Sequence, residues 1–270
     1  MRSYNNSNYQ YDINKKNMKT TTILFLLLLL PLQMMVAQTE KAFPNYVWSD
    51  ANATDKDGSR FGYEKASFTP VMKDCHALPK SDPCYEADNY NGKTLLGKYK
   101  NASMTDYVNI LYAQGPSMDP MFAITDKHNN LLWSENGEEM CINSSGVIYL
   151  SGNMDKMFNQ RMKFQFANNK VTEVKQPYYF VDVKGKLLKP VKLYSRKDNR
   201  GELIATLPVG YEIEVLLADP DTPIDSDGYR EQMTNYLART AFGLVGWLKL
   251  GQDDTYFMDP VVKGLGFYGD

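Results

Sequence analysis

Histidine is scarce in this 270-residue chain, with only His76 and His128, and cysteine is limited to Cys75, Cys84 and Cys141. No H-x-x-x-H or C-x-x-C spacing occurs, so a zinc site is not expected and no metal or other cofactor is assigned. No phosphate-cradling glycine loop is present. Charge of one sign is also lacking: the formal net charge is -2, with acids and bases mixed along the chain. That balance leaves no footprint for nucleic acid or an anionic membrane, and a polyanion partner is not expected. Sustained helical periodicity is missing too, the best short candidate being "DKMFNQ", Asp155 to Gln160.

The one long apolar run lies near the start. "MKTTT", Met18 to Thr22, precedes "ILFLLLLLPL" and "QMMVAQ", the three-part layout of a secretory signal peptide with its cut after Ala37. The run is shorter than the ~20 apolar residues of a spanning helix, so a stable membrane span is not expected after cleavage. Residues 1–17 are polar and lie upstream of the better initiator, Met18. The mature chain of about 230 residues is therefore expected in the periplasm or outside the cell.

In an oxidising compartment Cys75 and Cys84, which bracket the Pro-rich "HALPKSDP", are expected to pair and stiffen a segment with little core. Cys141 remains, in the strand-like "EEMCINSSGVIYLSG", and reads as a small buried hydrophobe. Residues 45–100 read as loops with short strands, with "DANATDKDGSR", Asp50 to Arg60, a solvated loop. From Tyr107 the strands sharpen: "YVNILYAQ", "MFAITD", "NLLWSE", "GVIYLSG", "RMKFQFAN" and "KVTEVKQP" are separated by turn residues. In "RMKFQF" Met162, Phe164 and Phe166 share one face and Arg161, Lys163 and Gln165 the other. The expectation is an all-β protein with an antiparallel meander over 38–185, a boundary near 185, and a second domain over 186–270.

In the second domain Tyr211, Ile213, Val215 and Leu217 are read as one face, opposite Glu212 and Glu214. The order "IATLPVGYEIEVL", a polar loop, then "YLARTAFGLVGWLKL" resembles the bacterial SH3 (SH3b) family over residues 188–250. In that family a T-L-x-x-G-x-x-V-x-V strand is followed by a hairpin ending in G-W. Leu207, Gly210, Ile213, Val215, Gly246 and Trp247 carry the match, whereas the family's opening N-V-R-S-G-P-S is "KLYSRKD" here. The resemblance implies a small SH3-like barrel in which Gly243 turns the chain, Gly246 allows close backbone approach and Trp247 caps the end. Trp247 reads as a packing residue or, with Tyr194, Tyr211, Tyr229 and Tyr236, as the lining of a shallow groove for a peptide or sugar. The tail, with Phe257, Val261, Leu265, Phe267 and Tyr268, is expected to dock rather than dangle.

Catalysis finds little support. Asp74-Cys75-His76 has the "D-C" of papain-like cell-wall peptidases, but the cysteine is followed by prolines rather than by a helix that would lower its pKa. Asp219, Asp221, Asp225 and Asp227 crowd one loop, yet Pro223 stands where an EF-hand needs an Asp, so a solvated acidic loop is expected. Glu138 and Glu139 are an acidic pair of the kind glycoside hydrolysis uses, a role that depends on spacing in space rather than in sequence. The resemblance implies a non-catalytic exported protein that binds a cell-envelope component, a peptidoglycan peptide or glycan. The competing expectations are a structural or protein-partner module of the envelope and a cell-wall hydrolase.

Overall fold

A computed structural model describes residues 38–55, 57–87, 92–115, 117, 119–220, 233–251, 254, 256 and 258–268. The expected signal peptide, Asp221, Asp225, Asp227, Tyr229 and Phe257 lie outside the described residues. The chain divides at Asn45. The first unit contributes one short helix, α1 (Gln38–Ala42), with Glu40 in its first turn, where a carboxylate favours the helix N-terminus. No helix among the described residues is long and apolar enough to cross a membrane.

The second unit, Tyr46–Asp270, is built of strands. β1 (Val47–Asp50) and β2 (Arg60–Tyr63) form a hairpin, followed by β3 (Phe68–Asp74), β4 (Thr94–Tyr99), β5 (Val108–Ala113), β6 (Met121–Thr125) and β7 (Leu131–Asn136). Next come β8 (Glu139–Ile142), β9 (Val147–Gly152), β10 (Gln160–Ala167) and β11 (Lys170–Glu173). The last six are β12 (Tyr179–Lys186), β13 (Val191–Arg196), β14 (Arg200–Leu207), β15 (Glu212–Ala218), β16 (Asn235–Thr240) and β17 (Val245–Lys249). They make three sheets, in the orders β1-β2-β8-β9-β10-β11, β3-β4-β5-β6-β7 and β12-β15-β16-β17-β13-β14. The all-β expectation stands. "DKMFNQ" is not helical, because its backbone is bridged to Tyr268 instead.

The single antiparallel meander expected over 38–185 does not form. Two sheets share that stretch, and β2 pairs β8 in parallel, Arg60 opposite Glu139 through Tyr63 opposite Ile142. Parallel neighbours require a crossover, and here the whole five-stranded sheet serves as the connection. Residue 185 lies within β12, the edge strand of the third sheet. Among the described residues that sheet is open, with β12 and β14 as its edges, rather than a closed barrel.

Burial alternates along β9 and β10, whereas β4, β5 and β6 are buried on both faces. In β10 Met162, Phe164 and Phe166 are buried while Arg161 and Lys163 reach across Phe180 and Tyr149 on the other face. One apolar cluster joins all three sheets, from Phe61 through Ile110 and Phe164 to Val215, Leu248 and Leu265. In β15 a register shift between Val215 and Leu217 changes the parity, so the buried face continues through Ala218 and not Leu217. The Asp50–Arg60 loop also turns inward: Asn52 and Ser59 are buried, and the Tyr112 hydroxyl donates to Asp57 at 2.5 Å. Its turn-rich composition reads as a solvated loop, but polar side chains with partners in the fold carry it inward.

The tail crosses from the third sheet to the first. The Leu188 amide donates to Val261 O at 2.8 Å and the Lys263 amide to Lys186 O at 3.0 Å, while Tyr268 O accepts from the Asp155 amide at 2.6 Å. A Cβ on Gly185 would lie 2.1 Å from Lys263 O, so only glycine admits this crossing.

On the outer face of the five-stranded sheet, Leu95, Leu111 and Ala123 are covered by the loop that Cys75 and Cys84 close, their Cα atoms 5.6 Å apart. This second, smaller cluster depends on the disulfide for its lid. Replacing both cysteines by Ser is expected to lower the unfolding free energy by about 2 to 3 kcal/mol, read from the urea midpoint. An unchanged midpoint would show that packing alone holds the loop.

Candidate functional site

The opposite ends of "YLARTAFGLVGWLKL" are β16 and β17, paired Tyr236 to Leu248, Leu237 to Trp247 and Ala238 to Gly246. The turn closes with the Gly243 amide on Thr240 O at 2.9 Å, and Gly243 takes φ +98°, a left-handed conformation that suits glycine. Along β17 Gly246 and Leu248 point into the core, and Trp247 points out. Gly246 lies so close to β13 that a Cβ would meet Leu193 Cβ at 2.9 Å and Tyr194 O at 3.2 Å.

Trp247 is half-buried on the outer face, with Tyr194 directly opposite it on β13. Its ring neighbour is Tyr178, 41% exposed, with centroids 6.0 Å apart and planes tilted by 43°. The Lys197 ammonium sits 5.9 Å from the indole centroid, within cation–π range, and forms an ion pair with the buried carboxylate of Asp219. Lys197 is positioned by the tight β13–β14 turn, where Asp198 and Asn199 adopt φ +59° and +55° as a two-residue hairpin requires. Asp198 is tied down by Asn235 at 3.2 Å and Lys249 at 3.1 Å, and these bonds hold its carboxyl below the usual carboxylate range.

Beside the ring pair lies a cavity of about 330 Å³ whose lining includes Tyr178, Tyr179, Glu173, Lys197 and Asp219. The Tyr179 hydroxyl donates to Glu173 at 2.5 Å. The site thus offers aromatic faces, a fixed ammonium and carboxylates around one hollow. Such a set can stack a planar or sugar ring and hydrogen-bond a peptide.

Of the aromatic residues expected to line a groove, the described ones are divided between the outer face and the core. Tyr236 is fully buried, its hydroxyl donating to Met233 O at 2.8 Å, and burial pushes its phenol up. One residue of strand offset turns it to the face opposite Trp247, so it belongs to the core. Tyr211 packs against the core at the start of β15, its carbonyl accepting from the Leu187 amide. Tyr194 is brought to Trp247, whereas Tyr229 lies outside the described residues. Tyr178, Lys197 and Asp219 were not singled out as ligand contacts. "QPYYF" was legible as an aromatic run, but its place beside Trp247 depends on β12 joining the third sheet.

The residues considered for catalysis are dispersed. Cys75 is held in the disulfide, and His76 is exposed with Nδ1 3.2 Å from Glu86 O. Cys141 is buried on β8, and burial pushes its thiol up, so it stays protonated. His128 is exposed in the turn that Asp126 caps. Glu138 and Glu139 are consecutive, and their carboxylates diverge, Glu138 accepting from the Asn153 amide and Glu139 from Ser151 Oγ. Burial raises the Glu138 carboxyl. Among the described residues no group of three or more His, Cys, Asp or Glu could hold a metal ion.

Comparison with protein-family models, curated proteins and solved structures finds no match to the chain.

A methyl group at position 246 would push β17 off β13 and shift the indole. Gly246→Ala is expected to cost about 1 to 3 kcal/mol in urea unfolding and to alter the near-ultraviolet circular dichroism. A change under about 0.5 kcal/mol with an unaltered spectrum would mean that the strand crossing is slack.

Proposed function

We propose that this is an exported, non-catalytic binding protein whose third sheet is an opened SH3b-like module. Its ligand is a cell-envelope component, a peptidoglycan peptide or glycan. The observation that carries the reading is the outward-facing Trp247 in contact with Tyr178 and Lys197, which together with Asp219 line a 330 Å³ hollow. Peptidoglycan stem peptides present both charges on short side chains, and its sugars present flat faces. Half-exposed rings with a neighbouring ammonium and carboxylate complement both.

The leader-like run of residues 18–37 and the residue match over 188–250 support the same reading. A second reading is a protein-partner module of the envelope. It is favoured by the edge strand β14, whose exposed Leu203 and free backbone side suit strand addition.

The chain from Gln38 onward is expected to sediment with purified cell-wall sacculi, and Trp247→Ala, checked for folding by its urea midpoint, is expected to stay in the supernatant. Failure of the parent chain to sediment, or equal retention of the variant, overturns the assignment. Co-purification of one exported protein without sacculus binding would turn it to the second reading.

A further inference from the structure

The β16–β17 turn carries the most exposed large apolar side chain among the described residues, Phe242, at 84%. Leu244 and Val245 follow it and are also exposed. The tip is rigid: the Gly243 amide bonds Thr240 O at 2.9 Å, the Thr240 amide bonds Leu244 O at 2.9 Å, and the Leu244 amide bonds Thr240 Oγ1 at 3.0 Å. Presenting these side chains to a partner therefore costs little ordering of the turn.

Beside the tip runs an open groove of about 880 Å³, along which stand Lys184, Lys186, Arg239 and Lys263. Four cations face two carboxylates, a local excess of two positive charges on a chain that carries -2 overall. Glu214 is largely covered between Lys184 and Arg239, whose own side chains stay mostly in solvent. Only Glu212, near Lys186, opposes the basic rim from an exposed position.

We propose that this hairpin tip docks on the surface of an anionic lipid bilayer. Phe242 and Leu244 enter the boundary between headgroups and acyl chains, while Lys184, Lys186, Arg239 and Lys263 meet the lipid phosphates. A convex apolar point flanked by a groove of cations is complementary to that layer, which yields around a protruding ring and supplies the negative charge. A folded protein partner would need a preformed socket. The proposal stands on residues other than the Trp247 cleft, so the two can fail separately.

The test is flotation of residues 38–270 with vesicles of phosphatidylglycerol and phosphatidylethanolamine, beside vesicles of phosphatidylcholine alone. The parent chain is expected to float with the anionic vesicles, to stay behind with phosphatidylcholine, and to be released as salt shortens the Debye length to about 3 Å near 1 M. Phe242→Ser is expected to weaken vesicle partition by about tenfold or more, the effect of withdrawing one phenylalanine from lipid, with an unchanged urea midpoint. Lys186→Glu with Lys263→Glu is expected to weaken it similarly. Phe242→Ser should still sediment with sacculi if the Trp247 reading holds. Absence of flotation of the parent chain, equal flotation with phosphatidylcholine, or parental flotation of Phe242→Ser overturns the proposal.

Discussion

Gly246 lies where β17 crosses β13, and the contact leaves no room for a side chain against Leu193 Cβ and Tyr194 O. A strand has only two ways to face a core, because its side chains alternate with a period of two. Putting Gly246 inward selects one of them: Leu248 joins Tyr236 and Ala238 in the core, and Trp247 is turned outward beside Tyr194 and Leu237. The reverse parity would drive an indole into a gap that cannot take a methyl group. The grouping of Trp247 with Tyr178 and Lys197 follows from that one close approach, since both can reach only an outward ring.

The frame behind the cleft is fixed from the far end of the chain. Val262 and Leu265 are buried and pair with each other, Val262 also pairs with Leu187, and Tyr268 bridges Met154 and Lys156 in the β9–β10 connection of the first sheet. Lys156 is itself buried. Its ammonium donates to Asn136 O at 2.7 Å and Met154 O at 3.1 Å and meets Glu135 at 3.3 Å, partners that offset the cost of removing the charge from water. The tail thus spans two sheets, and the cleft sits on a sheet whose edge strand β12 is clamped by that crossing.

The strand content was legible because alternation is a local signal, and β5, β6, β7, β9, β10 and β11 all fall, to within one residue, inside stretches whose pattern announces them. The β2–β8 parallel pair was not, because Phe61 and its partner Met140 are far apart in sequence and a four-residue strand carries too little pattern to name its neighbour. Likewise the Val215–Leu217 bulge resets parity without leaving a glycine or proline as a marker. In the cleft, Trp247 and the glycine beside it could be read directly. Counting from the Thr240–Leu244 turn pairs Tyr236 with Leu248 and turns it inward, a parity that aromatic composition does not carry. Tyr178 and Lys197 reach Trp247 through tertiary pairing, which spacing along the chain does not encode.

The three tryptophans, Trp48, Trp133 and Trp247, provide an internal comparison for ligand contact. Trp48 packs over Gly62, and Trp133 makes an edge contact with Phe164, so both report on the frame rather than on the cleft. The most direct measurement is the indole N–H spectrum by nuclear magnetic resonance while soluble peptidoglycan fragments are titrated in. The Trp247 resonance is predicted to move in proportion to occupancy while the other two stay in place. A stationary Trp247 signal at saturating fragment, or a shift confined to Trp48 or Trp133, would contradict the account.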